Sequence, residues 1–423
     1  MKNTPFLGVF SLYFAQTKRM KEWLRLAKEK QKKWIRHRRY LHAHAETGFD
    51  LPQTYAYVEK SLQELGYQPQ KCGKAGLCVT VGGIKSEKTG DRRKCVLLRA
   101  DMDGLPIKEK SGKPFSCKSG KMHACGHDLH TAMLLGAAEI LKGKESVLNG
   151  EIKLLFQPAE EILQGAKDAV DSGILQNPKV SAALSLHVLT GTDIPTGTVI
   201  IKKGVGAPSA DYFKVQIKGR GCHGSSPWEG IDPLTAAARI LLGLQEINGR
   251  ELDIRARAVL TVGSLQSGEA GNVISETALL HGTLRAYDEI TRERIKKRIK
   301  EISANVAKAF RCRAFVRFEG GCPALVNDEK LTDFVAETLR LALGKSQVFS
   351  ASEGGGASED FAYIAREVPS LMMAISAGEK KKGYGYPLHH EKVKFDENVL
   401  CQGVGILSGL AAAYLQDGKT KEK

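Results

Sequence analysis

The sequence predicts an α/β fold: a central, mostly parallel sheet carrying a metal centre, with an inserted ferredoxin-like (βαββαβ) domain. Three observations predict it. Short apolar runs alternate with helical patterns in the first half of the chain, a dense set of metal-type donors opens one of those helices, and a different element order interrupts the pattern near Pro208.

Leu77–Gly82, Lys94–Ala100, Glu151–Gln157 and Ala182–His187 are short, rich in branched residues, and read as strands. Helical patterns at Tyr55–Leu65, Thr131–Leu141 and Gly165–Ala169 separate them, which is the mark of a parallel sheet with crossover helices. From Pro208 the order becomes strand Asp211–Lys218, helix Pro233–Ile247, strands Ala258–Gln266 and Thr277–Ala286, helix Thr291–Phe310 and strand Arg313–Phe318. That is the ferredoxin-like unit. After Pro323 helices resume at Glu329–Ala342 and Asn398–Leu415. The expected organisation is therefore residues 20–207 and 323–417 as one catalytic domain, with 208–322 inserted.

With 423 residues, 42% of them apolar, the chain can bury a large core. Of its formal charge of +16, the first forty residues carry +10, from 12 Lys and Arg against 2 acidic residues. The basic surplus is terminal, so nucleic-acid binding is not expected. Lys21–Arg39, in which basic residues alternate with Trp23, Leu24, Leu26, Ala27, Trp34 and Ile35, reads as a helix that docks one apolar stripe while its basic face meets solvent. Pro5–Ala15 is about half the ~20 residues of a membrane span, and reads as a weak signal peptide or as residues ahead of a true start at Met20. No membrane association is expected. Nine cysteines without paired spacing fit reduced thiols and a cytoplasmic location.

Five stretches carry chemistry. Arg99-Ala-Asp101-Met-Asp103 offers two carboxylates two residues apart, which point the same way on extended backbone. His123-Ala-Cys125-Gly-His127-Asp128-Leu-His130 supplies imidazole, thiol and carboxylate donors at a helix start, a mixture that borderline first-row divalent metals accept. Gln157-Pro-Ala-Glu160-Glu161 follows a strand, Ser185-Leu-His187 ends one, and Pro387-Leu-His389-His390 lies in a Gly/Tyr-rich loop. Metalloenzyme chemistry is the reading these favour.

These motifs, with Gly219-Arg-Gly-Cys-His223-Gly224, resemble in order and spacing the metallopeptidase superfamily of aminoacylase and glutamate carboxypeptidases. The likeness is strongest to its amidohydrolase branch of N-acyl-amino-acid amidohydrolases, hippurate hydrolases and auxin-conjugate hydrolases, and runs from about Trp34 to Ala413.

The resemblance implies two divalent metal ions per subunit, Zn, Mn, Ni or Co, held by Cys125, His127, Glu161, His187 and His389, with Cys125 bridging. It implies Glu160 as general base and Asp103, with Asp101 the alternative, as the carboxylate that orients a ligand. His223 would stabilise the oxyanion in a partner subunit's site, so a homodimer through the inserted domain is expected. Asn272 and Arg285 would hold the substrate's carboxylate. The implied reaction is hydrolysis of an N-acyl amino acid or related small amide to an acid and an amine. A dipeptidase or carboxypeptidase of the same superfamily is the alternative, and a non-catalytic metal-binding protein the more distant one. Trp228, Glu391 and Ala45 depart from the branch pattern and bear on the substrate, since none is a proposed ligand or base.

Overall fold

The structure, a computed structural model, describes residues 6–83 and 94–416, with side chains from residue 17 onward. The signal-peptide reading of Pro5–Ala15 therefore falls outside the described side chains. The chain forms two compact units. The larger holds residues to Gly206, Val326–Glu353 and Asp360 onward, and the smaller holds Ala207–Leu325 and Gly354–Glu359. Both borders lie within three residues of the expected ones, and the short Gly354–Glu359 segment is an addition that the sequence reading did not contain.

In the larger unit eight strands form one sheet, in the order Gln70–Cys72, Gly76–Gly82, Glu151–Gln157, Cys95–Asp101, Ala182–Leu189, Ser370–Ser376, Val199–Ile201 and Val348–Ser350. The four from Glu151–Gln157 to Ser370–Ser376 run parallel. All seven residues of Cys95–Asp101 are buried, as expected of a strand covered on both faces. Parallel strands end at the same edge, and ligands bind at that edge. Asp101, Gln157 and His187 thus arrive together because of chain direction alone.

Helix His127–Gly143 lies against this sheet and against helix Val399–Gln416, whose other side meets Phe6–Glu29. Val399–Gln416 is long and apolar enough to cross a membrane by length and composition. Its apolarity is accounted for here by burial between neighbouring elements. At Gly405 a Cβ would come 2.8 Å from the Leu24 Cα, so the helices touch through backbone.

Two features of the amino-terminal helix depart from expectation. Instead of one helix over Lys21–Arg39 there are two, Phe6–Glu29 and Gln31–Ala43, broken at Lys30. The Trp34 indole N–H donates to the Ala27 carbonyl across the break (2.9 Å). The basic face is also not wholly solvated. Arg38 and His42 are buried and both bond Asp128, at 2.7 and 2.9 Å, a partner some ninety positions away.

In the smaller unit Ala258–Ser267, Thr277–Ala286, Ala210–Lys218 and Arg313–Cys322 form an antiparallel sheet in that order. Helices Pro233–Glu246 and Glu289–Ala309 bury Ala236, Ile240, Leu244, Ile295 and Ile299 with Phe213, Val215 and Leu280 in a single core. This is the ferredoxin-like order read from the sequence. Both helices start on a caught N-cap, Asp232 to the Leu234 amide and Asp288 to the Thr291 amide. Ala258–Ser267 lies at one edge of this sheet.

Candidate metal and catalytic centre

His127 is the first residue of its helix, and Gly126 before it adopts φ +86°, in the left-handed region. A Cβ there would lie 2.3 Å from Val188 Cγ2. Glycine is thus needed both for the conformation and for the approach of the next strand end, which brings Cys125 and His187 together. Cys125 Sγ lies 3.5 Å from His187 Nε2. The His187 Nδ1–H donates to the Val188 carbonyl (2.7 Å), which leaves the Nε2 lone pair facing the thiol.

Beyond Gln157 the chain reverses through Ala159, whose φ is +59°. Asp103 catches the reversed segment: its two carboxylate oxygens accept from the amides of Glu160 (3.0 Å) and Glu161 (3.2 Å). Asp103 Oδ1 also lies 3.5 Å from His127 Nδ1. The other nitrogen, Nε2, faces Asp101, Glu160 and Glu161 at 3.8, 3.9 and 3.8 Å. His389, at φ +64° and half exposed, brings Nε2 to 3.5 Å from Glu161 Oε2.

The donor atoms form overlapping groups, each within 4.8 Å: Cys125–His127–His187, Cys125–Glu161–His389 and His127–Glu160–Glu161. All five sequence-predicted ligands and Glu160 are therefore in one place, with Cys125 common to two groups. Asp101, His127 and His130 form a further group, but both His130 nitrogens are engaged, with Asp101 and with the Val188 amide. His123 is buried, joins none of these groups, and has no hydrogen bond at either nitrogen.

Three lid residues lie in the smaller unit. His223 pairs with Val273 across a two-stranded ribbon, and the Gly224 amide donates to the Asn272 carbonyl (2.7 Å), so His223 and Asn272 are neighbours. His223 is exposed, with Nδ1 2.7 Å from Ser225 Oγ. Arg285 is not with them. It stands eight positions beyond Thr277 on its strand, roughly 26 Å along at about 3.3 Å per residue, donates to Thr283 Oγ1 (2.6 Å) and lies over the Tyr212 ring.

A family model described as peptidase family M20/M25/M40 matches residues 97–413. The chain belongs to this family. It is 39% identical over 372 residues to an N-acetyl-L-cysteine deacetylase of Bacillus subtilis, covering 88% of this chain and 85% of that one. It is 34% identical to thermostable carboxypeptidase 2 of Saccharolobus solfataricus, covering 87% and 92%. Among solved structures it matches the Bacillus subtilis YXEP protein, described as a dinuclear metal binding peptidase from the M20 family, with TM-score 0.75, 29% identity, and coverage of 92% and 99%. This M20-family chain is a metal-dependent amidohydrolase.

The side chains of this M20 centre fit metal ions. Both His127 nitrogens and Glu161 Oε1 are buried without a hydrogen bond, and buried polar atoms are costly to leave unpaired. Burial opposes charge on His127, yet the neighbouring Asp101 carboxylate outweighs it and holds its pKa well above the ordinary value. Burial pushes the Cys125 thiol up, so without metal it is protonated; coordination ionises such a thiol. Burial holds the His187 pKa well below the ordinary value and so keeps the ring neutral, the form that ligates.

Burial also lifts the Glu161 carboxyl from 4.5 to about 7, against the pull of His127. A carboxyl raised on folding costs stability above its unfolded pKa, and the cost grows until pH passes the folded value. Between pH 4.5 and about 7 the metal-free Glu161→Gln variant should therefore gain on the metal-free parent, by on the order of 1–3 kcal/mol, and the gain should then level off. Denaturant midpoints of both proteins across that range test this. A difference that does not change with pH would contradict it.

Proposed function

We propose that this amidohydrolase cleaves the amide bond of N-acylated amino acids or related small amides, releasing a carboxylic acid and an amine. The observation that carries the reading is the shared thiol: Cys125 belongs both to the group with His127 and His187 and to the group with Glu161 and His389. A bridging thiolate between two ions is what that overlap suits. Zn, Mn, Ni and Co all accept this mixed N, S and O set. When bound, the ions supply Lewis acidity toward water and the amide carbonyl.

The protein's own groups supply the rest. Glu160 takes a proton from the attacking water and returns it to the departing amine. Asp103 fixes the backbone under Glu160 and Glu161 and faces the His127 nitrogen turned away from the other carboxylates. That double grip supports Asp103 over Asp101 as the orienting carboxylate. The name of the deacetylase relative supports an N-acyl amino acid as substrate. The carboxypeptidase relative favours a second reading, release of a free carboxy-terminal residue from a peptide. Nine cysteines, none of them joined to another, suit a reducing, cytoplasmic setting.

The test pairs variants with a substrate panel. Glu160→Gln should keep its metal and lose ~10²–10⁴-fold in turnover, whereas Glu161→Gln and Cys125→Ala should lose metal as well. Rates are read on N-acetyl, N-benzoyl and N-indolylacetyl amino acids beside dipeptides ending in the same residue. Equal metal content in the two glutamate variants would overturn the division of roles, and turnover of the dipeptides alone would select the second reading.

The inserted unit is assigned as a dimerisation module. Exposed sheet edges are usually covered or paired, and pairing of the Ala258–Ser267 edge about a two-fold axis closes a homodimer. His223 and Asn272, exposed and adjacent, would then serve the partner's centre. Mixing inactive Glu160→Gln with inactive His223→Ala subunits should restore activity, because one composite centre in the heterodimer has both groups intact. A monomer by sedimentation, or no recovery after proven exchange, would refute the shared site.

A further inference from the structure

Behind the centre lies a buried network that none of the assigned roles uses. Arg99 is 1% exposed and donates in three directions: Nε to Gln157 Oε1 (2.8 Å), Nη1 to Asp101 Oδ2 (2.7 Å) and Nη2 to Asp360 Oδ1 (2.8 Å). Two of these acceptors lead to the turn that carries Glu160 and Glu161, and the third leads toward the strand end that carries His187.

Gln157 stands three positions before Glu160 and also donates to Asp360, at 2.9 and 3.0 Å. Asp360 Oδ2 in turn accepts from the Ala166 amide (2.8 Å), beyond the turn that carries Glu160 and Glu161. That turn is thus gripped at both ends by groups that Arg99 holds. The third direction runs the other way. Asp101 Oδ1 accepts from His130 Nδ1 (2.5 Å), and His130 Nε2 accepts from the Val188 amide (2.8 Å). Because Nε2 accepts a backbone N–H it carries no proton, so His130 is the neutral Nδ1–H tautomer and acts as a fixed spacer. The amide it holds belongs to the residue immediately after His187.

We propose that Arg99 is a positioning residue for the reaction, one planar guanidinium that sets the turn bearing Glu160 and Glu161 and the strand end bearing His187 in a common frame. The proposal rests on the roles given above to those three residues. A lysine cannot replace it, since an ammonium is a point charge that does not reproduce the planar fork. Arg99 faces two buried carboxylates at once, Asp101 and Asp360.

The test uses the full chain loaded with Co(II), whose visible absorption reports ligand geometry. Arg99→Lys should fold, bind as much Co(II) as the parent, show shifted absorption bands, and lose about 10²-fold in kcat, the scale of a small misplacement of reacting groups. KM should stay within about threefold, since no contact with substrate is removed. An Arg99→Met/Asp360→Asn double variant, which keeps the net charge of the cluster, should behave likewise and guards against misfolding of the first. An unchanged spectrum with kcat within about threefold of the parent would overturn the proposal. So would failure of both variants to fold, which would make Arg99 a core residue only. A parent that takes up no Co(II) would instead overturn the functional reading on which this rests.

Discussion

Negative charge gathered in a buried place is the constraint on which the rest of this structure depends. Asp101, Asp103, Glu160 and Glu161 converge on one buried imidazole, His127, within 3.9 Å. Uncompensated buried charge costs several kcal/mol per ion. The protein answers in two ways. On one side Arg99 balances Asp101 and Asp360 through a rigid fork of hydrogen bonds. On the other side burial lifts the Glu161 carboxyl to about 7 and pushes the Cys125 thiol up, so protons hold back negative charge there. In the function proposed above two divalent cations would complete that half, and proton release on their uptake is the expected linkage.

The sheet makes this concentration affordable. Four parallel strands end at one edge, so donors from far-apart stretches meet without long loops. Short reversals then aim the side chains. Gly126 lets a helix begin directly on His127, and Ala159 turns the Glu160–Glu161 pair back over Asp103. Left-handed backbone at Ala159 and at His389, uncommon for residues other than glycine, thus stands where side chains are delivered to the centre.

Most of the framework was legible in the sequence because its signals are local. Strand runs, crossover helices and the second element order each lie within a window of a few residues, and the donor cluster from His123 to His130 lies within a single turn-and-helix start. What escaped was long-range. The central strand Ser370–Ser376 carries serine at both ends and two methionines, so it lacks the branched composition that marked its neighbours. Arg38 reads as part of a solvated face, because its partner Asp128 is invisible from its own helix. Arg99 and Asp360 are 261 positions apart, and no periodicity joins them. Arg285 is a further case of distance that sequence does not show: its strand carries it away from His223 and Asn272.

The central claim is that Cys125 ties two ions into one centre. Anomalous diffraction from crystals of the metal-loaded protein, collected at the edge of the bound metal, tests it most directly. Two peaks per subunit are predicted, both about 2.3 Å from Cys125 Sγ, one flanked by His127 or His187 and the other by Glu161 and His389. A single peak, or two peaks of which only one touches Cys125, would contradict it.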